Sequence, residues 1–391
     1  MNRFLFSLLT FVVSGFALGQ SKQGPVVADE KITAAVNSAV DGLLADKKVA
    51  GAVSLVAQGG KIRHLQAHGK PVATDTIFRI HSMTKAIVSA AALQQLEVGK
   101  YELSDPVSKF IPAFSKHPTM TVEDLFRHTS GLAYNFTAPE KLVKPYSSPK
   151  LWGGDLEHFC NELAEIPLVH EPGKSWTYGV GIDVLGRLVE IWSGKPLDIY
   201  LADEFFKPLG MKDTGFWIED PAKKSRFATV FKSSSTGVVA GGDPLGQKYL
   251  DKPKLLSGGG GLTSTVSDYY EFLQMIADGG TRNGHVFLKP ETVALMTGNQ
   301  LPDKIPNIFF GEEQRTNVGF GLGFSVVMEK SADWDKAARV GEFGWGGAAS
   351  CHYWVSPADD NLIVITLEQT VPYNWNLELA LKPVIYKAIA K

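Results

Sequence analysis

The sequence predicts an α+β protein: an antiparallel sheet flanked by terminal helices, forming one lobe with them, and a mostly helical lobe inserted between its two parts. Strand-like runs cluster toward both ends of the chain, helical spacing dominates the middle, and helical runs lie outside the strands at each end. With 391 residues and 44% hydrophobic content the chain can bury a large core, and its length suits two lobes with a crevice between them.

Residues 1–19 read as a separate secretory signal peptide. Arg3 precedes the apolar stretch Phe4 to Val13, and Ala17-Leu18-Gly19 forms a small-x-small cleavage pattern. The apolar stretch is shorter than the ~20 residues a bilayer span requires, so cleavage and a periplasmic or secreted product without stable membrane insertion are expected. The mature unit then covers residues 25–391, with the α/β lobe at about 25–80 and 255–391 and the helical lobe at about 81–254.

Ile32, Val36, Val40 and Leu43-Leu44 repeat at helical spacing. The period then changes: Ala52 to Ala57, the turn Gln58-Gly59-Gly60 and Lys61 to Gly69 read as a β-hairpin. Helices follow from Ser82, from Thr121 with its threonine cap, over Asp155 to Ala164, and over Ile182 to Trp192 with Gly194 as the stop. Ser233-Ser234-Ser235 reads as a loop, and Ser257 with Gly258 to Gly261 as a turn at the rim of a site, before a helix over Thr265 to Ala277. Strands are expected at Gly321 to Val327, Ala348 to Val355 and Leu362 to Gln369, then a helix from about Trp375 to Ala390.

A net charge of −2 and the absence of a basic run interleaved with aromatics argue against nucleic acid as a partner and favour a small molecule. Cys160 and Cys351 fall in a helical and a strand-like run, and two buried free thiols are expected rather than a bridge. His64 and His68 are four apart, which in a strand separates them by ~13 Å, too far to share a metal. His81 and His128 read as structural or exposed, and no metal-binding motif or cofactor is implied. Oligomeric state is not legible.

The chemistry concentrates in three segments. Ser82 and Lys85 stand three residues apart where an extended run becomes helical, so a hydroxyl and an amine share one face. Ser82, at the first turn, can supply both a nucleophile and half of an oxyanion hole. A second Ser-x-x-Lys, Ser147 to Lys150, has Pro149 within it and Pro145 beside it, and reads as a loop that cannot hold the pair together. Tyr178, between the turn Glu171-Pro172-Gly173-Lys174 and the helix from Ile182, can point into a crevice and serve as a general base beside a lysine. Gly344-Trp345-Gly346-Gly347-Ala348 opens a strand whose unpaired N–H groups could bind an oxyanion.

In this order the segments resemble the serine β-lactamase/penicillin-binding-protein superfamily, and most closely its class C-like branch of family VIII carboxylesterases. Further matches are Leu103-Ser104-Asp105-Pro106-Val107, Leu125 with His128-Thr129-Ser130-Gly131-Leu132, Leu185-Gly186, Pro208-Leu209-Gly210-Met211 with Asp213-Thr214, and Gly260-Gly261-Leu262. The resemblance implies a β-lactamase/DD-peptidase-like fold and an acyl-enzyme on Ser82. It implies Lys85 and Tyr178 as the activating pair, and the N–H groups of Ser82 and Ala348 as the oxyanion hole. It also implies substrate contacts at Val180, Trp345, Gly346 and Gly347. Val180 stands where related lactamases usually carry asparagine, and Trp345 where they carry lysine, so a short uncharged ester is the expected substrate. The rival expectations are a β-lactamase, D-alanyl-peptide hydrolase or amidase using the same residues, and a catalytically silent protein that binds cell-wall fragments. No Gly-x-Ser-x-Gly occurs, which argues against an α/β-hydrolase.

Overall fold

The computed structural model describes residues 26–241, 249–310, 313–330 and 335–390. The expected signal peptide lies outside them. Seven strands form the main sheet: β1 (Gly51–Gln58), β2 (Lys61–Gly69), β3 (Val318–Phe320), β4 (Ser325–Val327), β5 (Phe343–Gly347), β6 (Cys351–Ser356) and β7 (Leu362–Leu367). Their spatial order is β3-β4-β5-β6-β7-β1-β2 and every neighbouring pair is antiparallel. The pairing of β1 with β7, with Leu55 opposite Ile365, joins the two ends of the chain into one sheet.

The strand period of two divides β1 and β7 between two apolar layers. Val53, Leu55, Ile363, Ile365 and Leu367 face the larger core shared with the helical middle. Val56, Leu362 and Val364 face the other way, toward helix α1 (Glu30–Ala45) and a C-terminal helix. These central strands are therefore apolar on both faces, which alternation alone would not suggest. Asp29 caps α1 by accepting from the N–H groups of Lys31 and Ile32.

Four further helices complete the frame: α2 (Thr84–Glu97), α3 (Gly181–Ser193), α4 (Val266–Ala277) and the C-terminal α5 (Asn376–Ile389). α2 is buried on nearly every side from Thr84 to Leu93, and the small residues Ala86, Ser89, Ala90, Ala91 and Ala92 let its neighbours approach. It packs against α3, and α4 packs on β1 and β7.

Several expectations need correction. Gly321 to Val327 is not one strand: β3 and β4 form a hairpin around Gly321 to Phe324, where the Gly321 N–H bonds the Phe324 carbonyl. The Trp345 motif ends a strand rather than opening one, and Ala348 to Ser350 make the turn into β6, with Ser350 at φ 65°. Ser233 and Ser234 lie in a short strand paired with Gly237 to Ala240, and this ribbon docks parallel to Thr370-Val371. The segment around Ser147 and Lys150 is more helical than expected: Glu140–Tyr146 and Pro149–Trp152 are both helical, and Ser147 and Ser148 connect them. Pro149 is tolerated at a first helical position, next to the Ser148 cap. The pair is still divided, with Ser147 ending one helix and Lys150 in the next, where its ammonium pairs with Glu162 at 2.7 Å.

His64 and His68 are also closer than strand spacing suggested. Their rings stack at 5.9 Å, and each Nε2 hydrogen-bonds the Ser54 hydroxyl at 2.8 Å. Both rings reach toward the Ser54 hydroxyl, which lies on β1 opposite Gln66, midway between them. Among the described residues no cluster of three or more His, Cys, Asp and Glu is placed to hold a metal, and no helix is long and apolar enough to cross a membrane. Cys160 and Cys351 are buried and unbridged, and burial pushes the Cys351 thiol up to about 12.

A buried ion cluster ties α5 to the edge of β5. Lys382 Nζ contacts Asp335, Glu342 at 2.5 Å and Glu378 at 2.9 Å, while Glu378 pairs with His352 at 2.9 Å and Tyr386 donates to Glu342 at 2.5 Å. Lys382→Met would leave these carboxylates without their cation. The expected loss is about 3–5 kcal/mol of stability, measured as a lower denaturation midpoint. The two thiols should stay unreactive toward a disulfide reagent in native buffer and titrate only on unfolding.

Candidate active site

Ser82 lies in a 3-10 turn, His81–Met83, that leads directly into α2. The preceding His81 has φ 44°, a left-handed conformation that costs a non-glycine residue energy and persists only where neighbours enforce it. Those neighbours are identifiable. The Ile80 N–H bonds the Leu262 carbonyl at 3.1 Å, Thr84 Oγ1 accepts from the Leu262 N–H at 3.1 Å, and the Tyr269 hydroxyl donates to the Met83 carbonyl at 2.9 Å. Phe78-Arg79 also pairs with Thr263-Ser264. His81 is buried, and burial, followed by the charges of Arg79 and Lys85, lowers its imidazole to about 3, so it is neutral in ordinary buffers.

Lys85, one helical turn on, is 2% exposed. Its ammonium donates to Ser82 Oγ at 3.2 Å, to the Tyr134 hydroxyl at 3.0 Å and to the Gly259 carbonyl at 2.5 Å. It also lies 4.8 Å from the Tyr178 ring centroid. The Tyr178 hydroxyl hydrogen-bonds Ser82 Oγ at 2.7 Å. The three residues singled out in the sequence, 96 positions apart at the extremes, are thus in one hydrogen-bonded group.

Tyr178 is held by glycines and aromatic rings. A Cβ at Gly179 would overlap the Leu132 carbonyl, so the chain can pass there only without a side chain. The His128 ring lies 4.9 Å from that of Tyr178 and 5.7 Å from that of Trp176, and its Nδ1 accepts from the Gly179 N–H at 3.4 Å. His128 is buried, which pushes its imidazole well below the usual range and makes it a neutral packing group. On the opposite side the Trp345 indole N–H reaches the Tyr178 hydroxyl at 3.4 Å, with ring centroids 5.4 Å apart.

The end of β5 passes directly beside the Ser82 turn: a Cβ at Gly347 would overlap the Ile80 carbonyl. Gly346 lies under the Tyr373 hydroxyl, which a Cβ there would meet at 2.9 Å. Val180 departs from expectation. It is fully buried at the entrance to α3 and packs into the main core, so it offers nothing to a substrate. The helix starts at Gly181, and the rotation of that start turns position 180 inward.

Sequence reasoning missed Tyr134, Asp183 and the role of Gly259. Tyr134 follows His128-Thr129-Ser130-Gly131-Leu132 by two residues, and Asp183 follows Tyr178 by five, so proximity to known motifs was the available signal. Tyr134 stacks on Phe136 with centroids 5.3 Å apart and planes 7° from parallel, and burial keeps its phenol well above the usual range. The glycine run forms a buried wall rather than a rim.

A sheet with terminal helices on one face, a central buried helix on the other, and a serine, lysine and tyrosine bonded together at that helix's start define an active-site serine protein of the β-lactamase type. The chain belongs to this family: the Beta-lactamase family model matches residues 36–379. Protein Rv1367c of Mycobacterium tuberculosis is 35% identical over 353 residues, covering 83% of this chain and 86% of that protein. Esterase EstB of Burkholderia gladioli is 29% identical over 392 residues, covering 91% and 95%. Among solved structures, EstCE1, described as a hydrolase with promiscuous acyltransferase activity, superposes with a TM-score of 0.79 at 23% identity, covering 91% of this chain and 99% of that one. That likeness shows the fold.

Tyr134→Phe keeps the ring and removes an acceptor from the buried ammonium. A hydrogen bond to a charged group is worth ~1.5–3 kcal/mol, and denaturant unfolding of the variant should show a loss of that order.

Proposed function

We propose that this protein is an exported serine carboxylesterase that cleaves short, uncharged carboxylic esters through an acyl-enzyme on Ser82. The observation that carries the reading is the Ser82 hydroxyl shared between the Lys85 ammonium and the Tyr178 phenol at 3.2 and 2.7 Å, with Trp345 rather than a cation beside them. Ser82 Oγ attacks the ester carbonyl while its proton passes to the Tyr178–Lys85 pair, which reacts in the form that lacks one proton, phenolate beside ammonium or phenol beside amine, and the tetrahedral oxyanion is held by the N–H groups of Ser82 and Ala348. The same pair returns the proton to the departing alcohol. Water then attacks the acyl-enzyme, giving up its proton by the same route and freeing the acid.

Relatives named as esterases and as acyltransferases, at 25–29% identity, support ester chemistry. The intact Ser82–Lys85–Tyr178 geometry counts against a catalytically silent binding protein. Trp345 bears on specificity: it is large, uncharged and nearly buried. Arg315 approaches its ring at 5.6 Å but is itself buried, 4.6 Å from the Trp375 ring. A penicillin carboxylate would therefore meet indole at the position of the lysine implied by the family resemblance. Cleavage after residue 19 would place the activity outside the cytoplasm, which N-terminal sequencing of the exported protein tests.

Ser82→Ala should abolish hydrolysis of p-nitrophenyl acetate and the acyl adduct seen by intact mass; near wild-type turnover would sink the assignment. Lys85→Ala and Tyr178→Phe should each lower kcat by about 100-fold or more, and their combination by much less than the product, since both serve one proton transfer. Short esters should be cleaved far better than penicillins. A charge-assisted bond worth ~1.5–3 kcal/mol is roughly one to two decades of rate, so Trp345→Lys should shift the ratio of kcat/KM toward the lactam. Equal wild-type efficiency on both substrates would refute this specificity.

A further inference from the structure

A fully buried acid shares the Gly259 peptide with the Lys85 ammonium. Asp183, on the first turn of α3, is 0% exposed. Its Oδ1 accepts from the Ser257 hydroxyl at 2.5 Å and from the Gly259 N–H at 3.0 Å, while its Oδ2 is buried without a hydrogen-bond partner. Leaving a carboxylate oxygen unsatisfied in the interior is costly, so a compensating charge is expected close by. Burial raises the Asp183 carboxyl above its usual range, and the Lys85 charge is the first influence opposing that rise.

The geometry links the two groups. Gly259, whose N–H is held by Asp183, directs its carbonyl onto Lys85 Nζ at 2.5 Å. A Cβ at Gly259 would overlap Asp183 Oδ2 and lie 2.7 Å from the Tyr134 hydroxyl, so the glycine is wedged between carboxylate and phenol. Around Asp183 stand Lys85 from α2, Tyr134 from the segment after Leu132, Ser257 and Gly259 from the glycine run, and the neutral Cys160 thiol from the helix Leu156–Leu163. Of these, Lys85 is the cation.

We propose that Asp183 is a positioning residue for Lys85: it anchors the Ser257–Gly259 turn, whose carbonyl aims the ammonium at Ser82, and its negative charge balances that ammonium in the interior. The inference rests on the proposed Ser82–Lys85–Tyr178 machinery. It assigns Asp183 no contact with substrate, so its loss should appear in kcat and not in KM.

Asp183→Asn preserves shape and removes the charge. On p-nitrophenyl acetate, kcat should fall about 100-fold, the scale of a misplaced reacting group, with KM nearly unchanged. A folded variant with wild-type kcat, or with a KM raised as far as kcat falls, overturns the proposal. Should Asp183→Asn not fold, Ser257→Ala decides: it keeps the carboxylate and frees one anchor of the turn, and kcat should drop about tenfold at constant KM. Wild-type kcat there overturns the proposal as well. Ser82→Ala and Lys85→Ala, run in parallel, separate the two ideas. If both remain active the esterase reading fails, whereas if both are dead and the Asp183 and Ser257 variants are normal, only this inference fails.

Discussion

The burial of the Lys85 ammonium is the constraint on which the rest of the site depends. A cation taken out of water needs acceptors arranged around it, and here they come from three separate places: Ser82 on its own turn, Tyr134 after the His128 segment, and the Gly259 carbonyl. Each acceptor fixes the path of a chain segment. The strained His81, the residues packed against Gly179 and the glycine run can all be understood as the means of bringing those oxygens to one nitrogen.

The helix that carries Lys85 also needs unusual surroundings. Because α2 is buried on nearly all sides, its small residues matter as much as its large ones: Ser89 lies against Gly323, and Val88 against Gly258. The other face of the sheet holds a second buried ammonium, Lys382, compensated by carboxylates rather than by neutral oxygens. Lys382 is locked in direct contact with opposite charges, whereas Lys85 touches neutral oxygens, with the Asp183 carboxylate behind Gly259, and stays in direct contact with a serine.

The Ser82–Lys85–Tyr178 cluster and the Trp345 beside it were legible because each carries a local signature: a spacing on one helix face, a turn before a helix, and a glycine-flanked tryptophan. Most helices were legible for the same reason, since periodicity and caps such as Asp29 and Thr265 are written over a few residues. What escaped is set by distance along the chain. Tyr134 and Gly259 meet Lys85 across separations of 49 and 174 residues, and no local pattern records such a meeting. Val180 was misread because a motif position does not reveal how the next helix is rotated. Residues 321–327 were misread because a tight hairpin and a single strand share the same composition over so short a run.

The pairing of β1 with β7 has a consequence for how the protein comes into being. Residues 53–57 find their partners at 363–367, so the centre of the sheet cannot close until almost the entire chain has left the ribosome. Until then the β1–β2 hairpin exposes an apolar edge, and the core-facing side chains of the helical middle lack their floor. Loop closure over some three hundred residues is an entropic barrier that local contacts cannot offset. Synthesis and the closing of the sheet's centre are thereby separated in time.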